Sequence, residues 1–147
     1  GPGWDKLVTQ LRACGHDVRY FDFIDQKHLP EIYRQLDIYL ILSDVEGGPV
    51  TILEAMASRC LVVSTRVGLA RDLIKDGING VLIDNANYNM ILSRIIEVRN
   101  DCQHYLLMTN NAYHDVSSTK TFETAFSLFP DVYEKVLAVD TNSVPCS

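Results

Sequence analysis

The order of apolar segments is what most limits the fold. Runs short enough for strands alternate with stretches of helical period, which argues for a mostly parallel sheet with helices packed against it. Ile38 to Ser43 (IYLILS) is a continuous apolar run, as expected of a strand buried on both faces. ILEAMASR follows and is rich in good helix formers. Leu61 to Ser64 (LVVS) reads as another buried strand, Leu69 to Lys75 as a short helix and Val81 to Ile83 as the last strand. The DGING turn before it holds Asp76-Gly77 and Asn79-Gly80, dipeptides whose glycines can take positive φ. The fold class is therefore α/β: a Rossmann-like parallel sheet flanked by helices.

The flanks fit the same architecture. Trp4 to Ala13 carries Trp4, Leu7, Val8 and Leu11 at helical spacing, with Cys14-Gly15 as the stop. Val18 to Ile24 (VRYFDFI) supplies a strand. Pro30 opens a short helix, HLPEIYRQL, near the position where a missing N–H costs nothing. From about Tyr88 the chain reads as helical: NMILSRIIEVRN, then HYLLMTNNAYHDV, then a last helix around FETAFSLFPDVYEKVLAV that Pro130 should kink or divide. Phe122, Phe126, Phe129, Tyr133 and Leu137 form an aromatic stripe that reads as a packing face. Residues 1–140 make one domain and residues 141–147 a frayed, flexible tail.

Composition narrows the function classes. With 147 residues, 47% of them hydrophobic and 22% charged, the chain can bury a real core. The formal net charge is -6 and no stretch gathers Lys or Arg into a patch, which argues against nucleic acid or an anionic membrane as partner. No apolar run approaches the roughly 18 residues of a membrane span, and GPGWDKL lacks the regions of a signal peptide, so a cytoplasmic protein is expected. Cys14, Cys60, Cys102 and Cys146 lie far apart, with no CxxC pair and no histidine at ligand spacing. Buried free thiols are expected in preference to disulfides or zinc. His16, His28, His104 and His114 match no site position and read as surface or core residues.

The chemistry concentrates in DVEGGPVTILE, where Glu46 and Glu54 flank Gly47, Gly48 and Pro49 between a strand and a helix. In open α/β sheets ligands bind at the carboxyl ends of strands, against the N-termini of the following helices. Gly47 and Gly48 permit close backbone approach, and Pro49 suits the first helical position. The N–H groups of Val50, Thr51 and Ile52 would then face an anion such as a phosphate, favoured by the helix dipole. An ionised carboxylate only accepts hydrogen bonds, which sugar hydroxyls donate. Glu54 would lie about 7.5 Å along the helix axis from Pro49, a sensible reach for a second polyol contact. Because carboxylates repel phosphate, both acids read as hydroxyl binders. Spacing alone leaves a second reading open, in which Gly47-Gly48-Pro49 is only a strand-to-helix turn, Glu46 a solvated loop acid and Glu54 a surface helix residue.

From LDIYLILSDVEGGPVTILEAMASRCLVVSTRVGLARDLIKDGINGVLID onward to its flanks, the sequence resembles the donor-binding core of glycosyltransferase family 4, the retaining enzymes of the GT-B fold. The family's E-x7-E signature matches Glu46 and Glu54, its LEAMA helix matches Leu53 to Ala57, and its DGxxG turn matches Asp76 to Gly80. The resemblance implies that Glu46 binds hydroxyls of the donor sugar near the reacting carbon, assisted by the amides around Gly47 and Gly48. It implies that the N–H groups of Val50 and Thr51 meet the diphosphate and that Glu54 holds the ribose. The base would lie near Phe23 and Ile24, which otherwise read as core strand residues. No metal is expected, and the nucleotide-diphosphate sugar is substrate, not cofactor. The chain departs from the family at Arg59 and Leu61, where Gly and Pro are usual, and at VGLARD, where a GG-containing turn is usual.

The resemblance also implies parts that precede this sequence: an N-terminal acceptor-binding domain, two strands of the donor domain, and the basic residues that stabilise a departing diphosphate. The chain is thus expected to be the C-terminal half of a GT-B fold truncated at its N-terminus, inactive alone. It is a fragment of a longer enzyme, or its strands re-pair or swap between copies in a strand-mediated homodimer. A non-catalytic nucleotide-sugar binding or interaction module is the rival reading, and a phosphorylase-like or epimerase activity on the same fold a third.

Overall fold

The computed structural model describes residues 4–43, 50–84 and 87–118, apart from the side chain of Gln26. Its elements run α1 (Trp4–Ala13), α2 (Leu29–Tyr33), β1 (Ile38–Ile41), α3 (Val50–Ala57), β2 (Leu61–Thr65), α4 (Ala70–Leu73), β3 (Val81–Ile83), α5 (Tyr88–Asn100) and α6 (Cys102–Ser118). The expected last helix, its aromatic stripe, the 141–147 tail and Gly47-Gly48-Pro49 lie outside the described residues.

The sheet is parallel with order β1-β2-β3, so β2 is central. Ile38 pairs with Leu61 and Ile41 with Ser64 on one side, and Val63 pairs with Val81 on the other. All five residues of β2 are buried, and its side chains alternate between two cores. Val62 points into the core built with α3 and the C-terminal part of α6, beside Ile52, Met56 and Ala112. Leu61 and Val63 point into the opposite core with Val81, Ile83, Ile91 and Met108. Each such aliphatic side chain stabilises the fold by about 1.5–3 kcal/mol through burial. Helix α6 reaches both cores, through Met108 on one side and Ala112 and Val116 on the other.

Two expectations fail. VRYFDFI forms no strand: residues 18–24 have no ladder partner among the described residues, and Phe21 and Phe23 are exposed. β-branched and aromatic residues favour strands only when a pleated surface receives them, and among the described residues β1 pairs only with β2. Nor is β1 buried on both faces. It is an edge strand whose Leu40 is 44% exposed, while the fully covered run is β2. The cysteines also divide differently: Cys60 is buried and free, Cys14 is free but exposed, and Cys102 is disulfide-bonded.

Local signals hold where the chain supplies its own partners. Gly15, at φ 84°, ends α1, and the N–H groups of Gly15 and His16 return to the carbonyls of Arg12 and Leu11. Helix α3 ends in the same double bond, from Arg59 N–H to Met56 and from Cys60 N–H to Ala55, with Arg59 itself at φ 58°. A left-handed arginine costs about 1–2 kcal/mol. Its guanidinium lies 4.2 Å over the Tyr113 ring and donates to Asn110, so α6 contributes what the backbone loses.

The DGING turn is held from within and from α6. Asn79 is fully buried; its Oδ1 accepts from Lys75 N–H at 2.7 Å, and its Nδ2 donates to Leu73 O at 3.0 Å and to Asp115 Oδ2 at 2.7 Å. Asp76 accepts from Leu82 N–H and from Arg94. Gly77 has the expected positive φ, 71°, whereas Gly80 is required for space: a Cβ there would meet Ile74 Cγ2 at 2.9 Å and Val62 O at 3.1 Å. Helix α4 is shorter than Leu69 to Lys75 because Ile74 turns extended and Lys75 N–H is taken by Asn79. Replacing Asn79→Ala leaves a buried amide and carbonyl without partners and should destabilise the protein by about 2–3 kcal/mol, read as a lower urea midpoint. A loss within experimental error would show that water replaces these bonds.

Candidate functional site

The site is the carboxyl edge of the sheet where β1 gives way to α3. The chain leaves β1 through Leu42 and Ser43 and re-enters described structure at Val50, the first residue of α3. Glu46, Gly47, Gly48 and Pro49 lie outside the described residues. The exit is fixed from β2: Thr65 Oγ1 donates to Ser43 O at 2.6 Å, with Ile41 O at 3.5 Å. Helix α3 begins here with the orphan N–H groups every helix start carries.

Three expected residues share one face of α3. Val50 and Thr51 stand four and three residues before Glu54, so all three line the same stripe. Val50 is exposed, Thr51 half-buried, and Glu54, one turn deeper, is only 9% exposed. The reading of Glu54 as a solvated surface acid is thereby excluded. Sequence neighbours explain its depth: Ile52, Leu53, Ala55 and Met56 are all buried, so α3 is clasped on most of its circumference.

The partner of Glu54 is a residue that sequence reasoning passed over. The Tyr33 hydroxyl donates to Glu54 Oε2 at 3.2 Å, toward the long end for an O–H···O pair. Tyr33 is buried on α2 and meets Tyr39 of β1 edge-on, ring centroids 5.5 Å apart. Burial holds the Glu54 carboxyl above its ordinary value, and the Tyr33 hydrogen bond opposes that shift without cancelling it. Burial first, then the neighbouring Tyr39 and Glu54, raises the Tyr33 phenol far above its usual range, so it stays a donor. The signal for Tyr33 in the sequence was slight: an aromatic at the end of a Pro-opened helix, with nothing to tie it to an acid 21 residues on.

Phe23 and Ile24 do not sit on a strand. Phe23 is 87% exposed and Ile24 half-buried, and no hydrogen bond joins them to α3 among the described residues. At the carboxyl end of β2, on this same edge of the sheet, Arg66 is paired with Asp84, both largely exposed. Among the described residues no cluster of His, Cys, Asp and Glu could hold a metal ion, and no helix is long and apolar enough to cross a membrane.

A parallel βαβ unit with an acid buried one turn inside its helix defines a Rossmann-like α/β domain, and comparison with known proteins makes the class specific. The sequence model of glycosyl transferases group 1 matches residues 1–115, and the chain belongs to that family. It is 27% identical to an N-acetyl-alpha-D-glucosaminyl L-malate synthase of Bacillus anthracis, over 97% of this chain and 37% of that one. It is 29% identical to the lipopolysaccharide core biosynthesis mannosyltransferase LpcC of Rhizobium leguminosarum bv. viciae, over 90% of this chain and 38% of that one. The chain therefore spans little more than a third of the length of these curated relatives. Among solved structures it superposes on the C-terminal domain of a group 1 family protein, LpcC of Francisella tularensis, with a TM-score of 0.67 and 27% identity, covering 79% of this chain and 61% of that one. Anabaena HepE, solved with UDP and glucose, shares the fold: TM-score 0.70 at 22% identity, covering 92% of this chain and 36% of that one. The described sheet and helices thus match the C-terminal domain of GT-B glycosyltransferases.

The buried acid carries a pH signature. Glu54 sits above its ordinary value of 4.5, so the stability it contributes is complete below that pH and is lost as pH rises through its folded value. Glu54→Gln, neutral throughout, should gain on the native protein over that window. Urea midpoints measured from acid to neutral pH should differ by a constant amount below 4.5 and diverge in the variant's favour above it; a difference independent of pH would refute the desolvation account.

Proposed function

We propose that this chain is the donor-binding part of a retaining, metal-independent glycosyltransferase of family 4. It would move a glycosyl group from a nucleotide-diphosphate sugar to an acceptor held by a separate N-terminal domain. The observation that carries this reading is Glu54: a buried carboxylate on α3, one turn from the helix N-terminus, held among the described residues by one phenolic donor. Hydroxyl-rich ligands suit such an acceptor, and a phosphate suits the N–H groups one turn away. In HepE the same fold was solved with UDP and glucose, a pairing of the same ligand class.

The roles follow the polarity of the site. Glu46 would meet the donor sugar, assisted by the amides of Gly47 and Gly48. The N–H groups of Val50 and Thr51 receive the diphosphate, and Glu54 takes the ribose. The exposed ring of Phe23, with Ile24, is the stacking surface offered to the base. Departure of a nucleoside diphosphate develops negative charge, and stabilising it needs cations. Arg66 is engaged with Asp84, so we assign that task to the rest of the longer protein and expect this part alone to be inactive.

In the full-length protein, Glu46→Ala should abolish transfer, lowering kcat by about a hundredfold or more, as for loss of a group that acts in the transition state. Glu54→Ala should chiefly weaken binding of the donor and of its nucleoside diphosphate. Chelation of divalent metal should leave the rate unchanged. Unaltered kinetics in both variants would sink the site assignment, and donor binding without any turnover would favour a binding module.

A further inference from the structure

We propose that Tyr33 is the positioning residue for Glu54: its hydroxyl ties down one carboxylate oxygen and leaves the other to the ribose hydroxyls of the ligand. The proposal rests on the reading of Glu54 as the nucleotide contact. Its basis is geometric. Only Oε2 is engaged, by Tyr33 at 3.2 Å; Oε1 has no hydrogen-bond partner among the described residues. Glu54 is only 9% exposed, so an acceptor left open there is costly unless a ligand fills it.

Tyr33 is placed to hold that arrangement. It is 5% exposed, and its ring is fixed edge-on against Tyr39 at 89° between planes, which sets the hydroxyl from the sheet side. It belongs to α2, a different element from the acid it serves, so the contact pins α3 against a second support. A phenol donates one hydrogen bond and can engage only one oxygen, whereas a guanidinium would take both in a fork. The raised titration of Tyr33 keeps its proton in place at neutral pH. Without that bond the carboxylate is free to rotate, and binding would carry the entropy of ordering it.

The test uses the full-length protein and calorimetry with UDP, GDP and ADP in turn, then the 2′,3′-dideoxy form of whichever binds tightest. Native protein should prefer the ribonucleotide. Tyr33→Phe keeps the ring and its contact with Tyr39 and should weaken the ribonucleotide about tenfold, roughly one hydrogen bond to a charged group, with little change for the dideoxy form. Tyr33→Phe combined with Glu54→Ala should bind no more weakly than Glu54→Ala alone. A Tyr33→Phe protein that melts lower but keeps the native ratio of the two affinities overturns the proposal, as does additivity with Glu54→Ala. If Glu54→Ala leaves the ratio untouched, the ribose role of Glu54 falls and Tyr33 with it. If Glu54→Ala collapses the ratio and Tyr33→Phe does not, Tyr33 alone is refuted. Should Tyr33→Phe fail to fold, Glu54→Asp withdraws the carboxylate from the phenol by one methylene. It too should lose the ratio, and retention of the ratio overturns the proposal.

Discussion

Central strand β2 is the constraint on which the rest depends. Its five buried residues face two cores in turn, and its parallel ladders fix β1 and β3 in register. The pairing of Ile41 with Ser64 brings the exit of β1 beside Thr65, whose hydroxyl then takes the Ser43 carbonyl. Ile52 and Met56 of α3 pack on the same face as Val62. The start and tilt of α3, and hence the depth of Glu54, are thus inherited from β2. A one-residue slip would exchange the two faces and send the acid-bearing helix to the wrong core.

Signals that a segment satisfies by itself were legible in the sequence. The glycine stop of α1, the β2 and β3 runs and the helix-forming ILEAMA stretch needed no distant partner to be recognised. Signals that depend on a neighbour were not. VRYFDFI has strand composition, yet no ladder receives it, and IYLILS has the apolarity of a central strand while lying at an edge. The same distinction divides the site. Glu54 could be singled out as a candidate because its spacing from Glu46 and the helix start is local. Tyr33 could not, because the bond that gives it meaning spans 21 residues and two elements.

Arg59 illustrates how a departure from a family pattern can leave a fold intact. The end of α3 needs a left-handed residue, and glycine would meet that need at no steric cost. Here an arginine takes the conformation, and its long side chain crosses to Tyr113 and Asn110 on α6. A local backbone cost is exchanged for a tertiary contact between the two helices that enclose the same core. The substitution lies at the end of α3 remote from Val50, so it bears on anchoring and not on the binding face.

The proposed donor site would have to reconcile two demands that ordinary electrostatics sets against each other. A diphosphate favours positive charge and helix N–H groups, while a polyol favours an acceptor that stays ionised. Burying such an acceptor raises its titration, and pairing it with an arginine would restore the charge but engage both oxygens in a fork. A buried tyrosine escapes that choice. It stabilises the ionised carboxylate through one hydrogen bond to Oε2 and adds no net charge, which under the proposed function leaves the other oxygen to the ligand. Such a bond only partly offsets the desolvation of the acid, and the residual destabilisation is what ligand hydroxyls can relieve. Under the proposed function, binding energy at Glu54 would draw on a cost already present in the unliganded fold, tying recognition of a ribose to the burial that β2 and α3 impose.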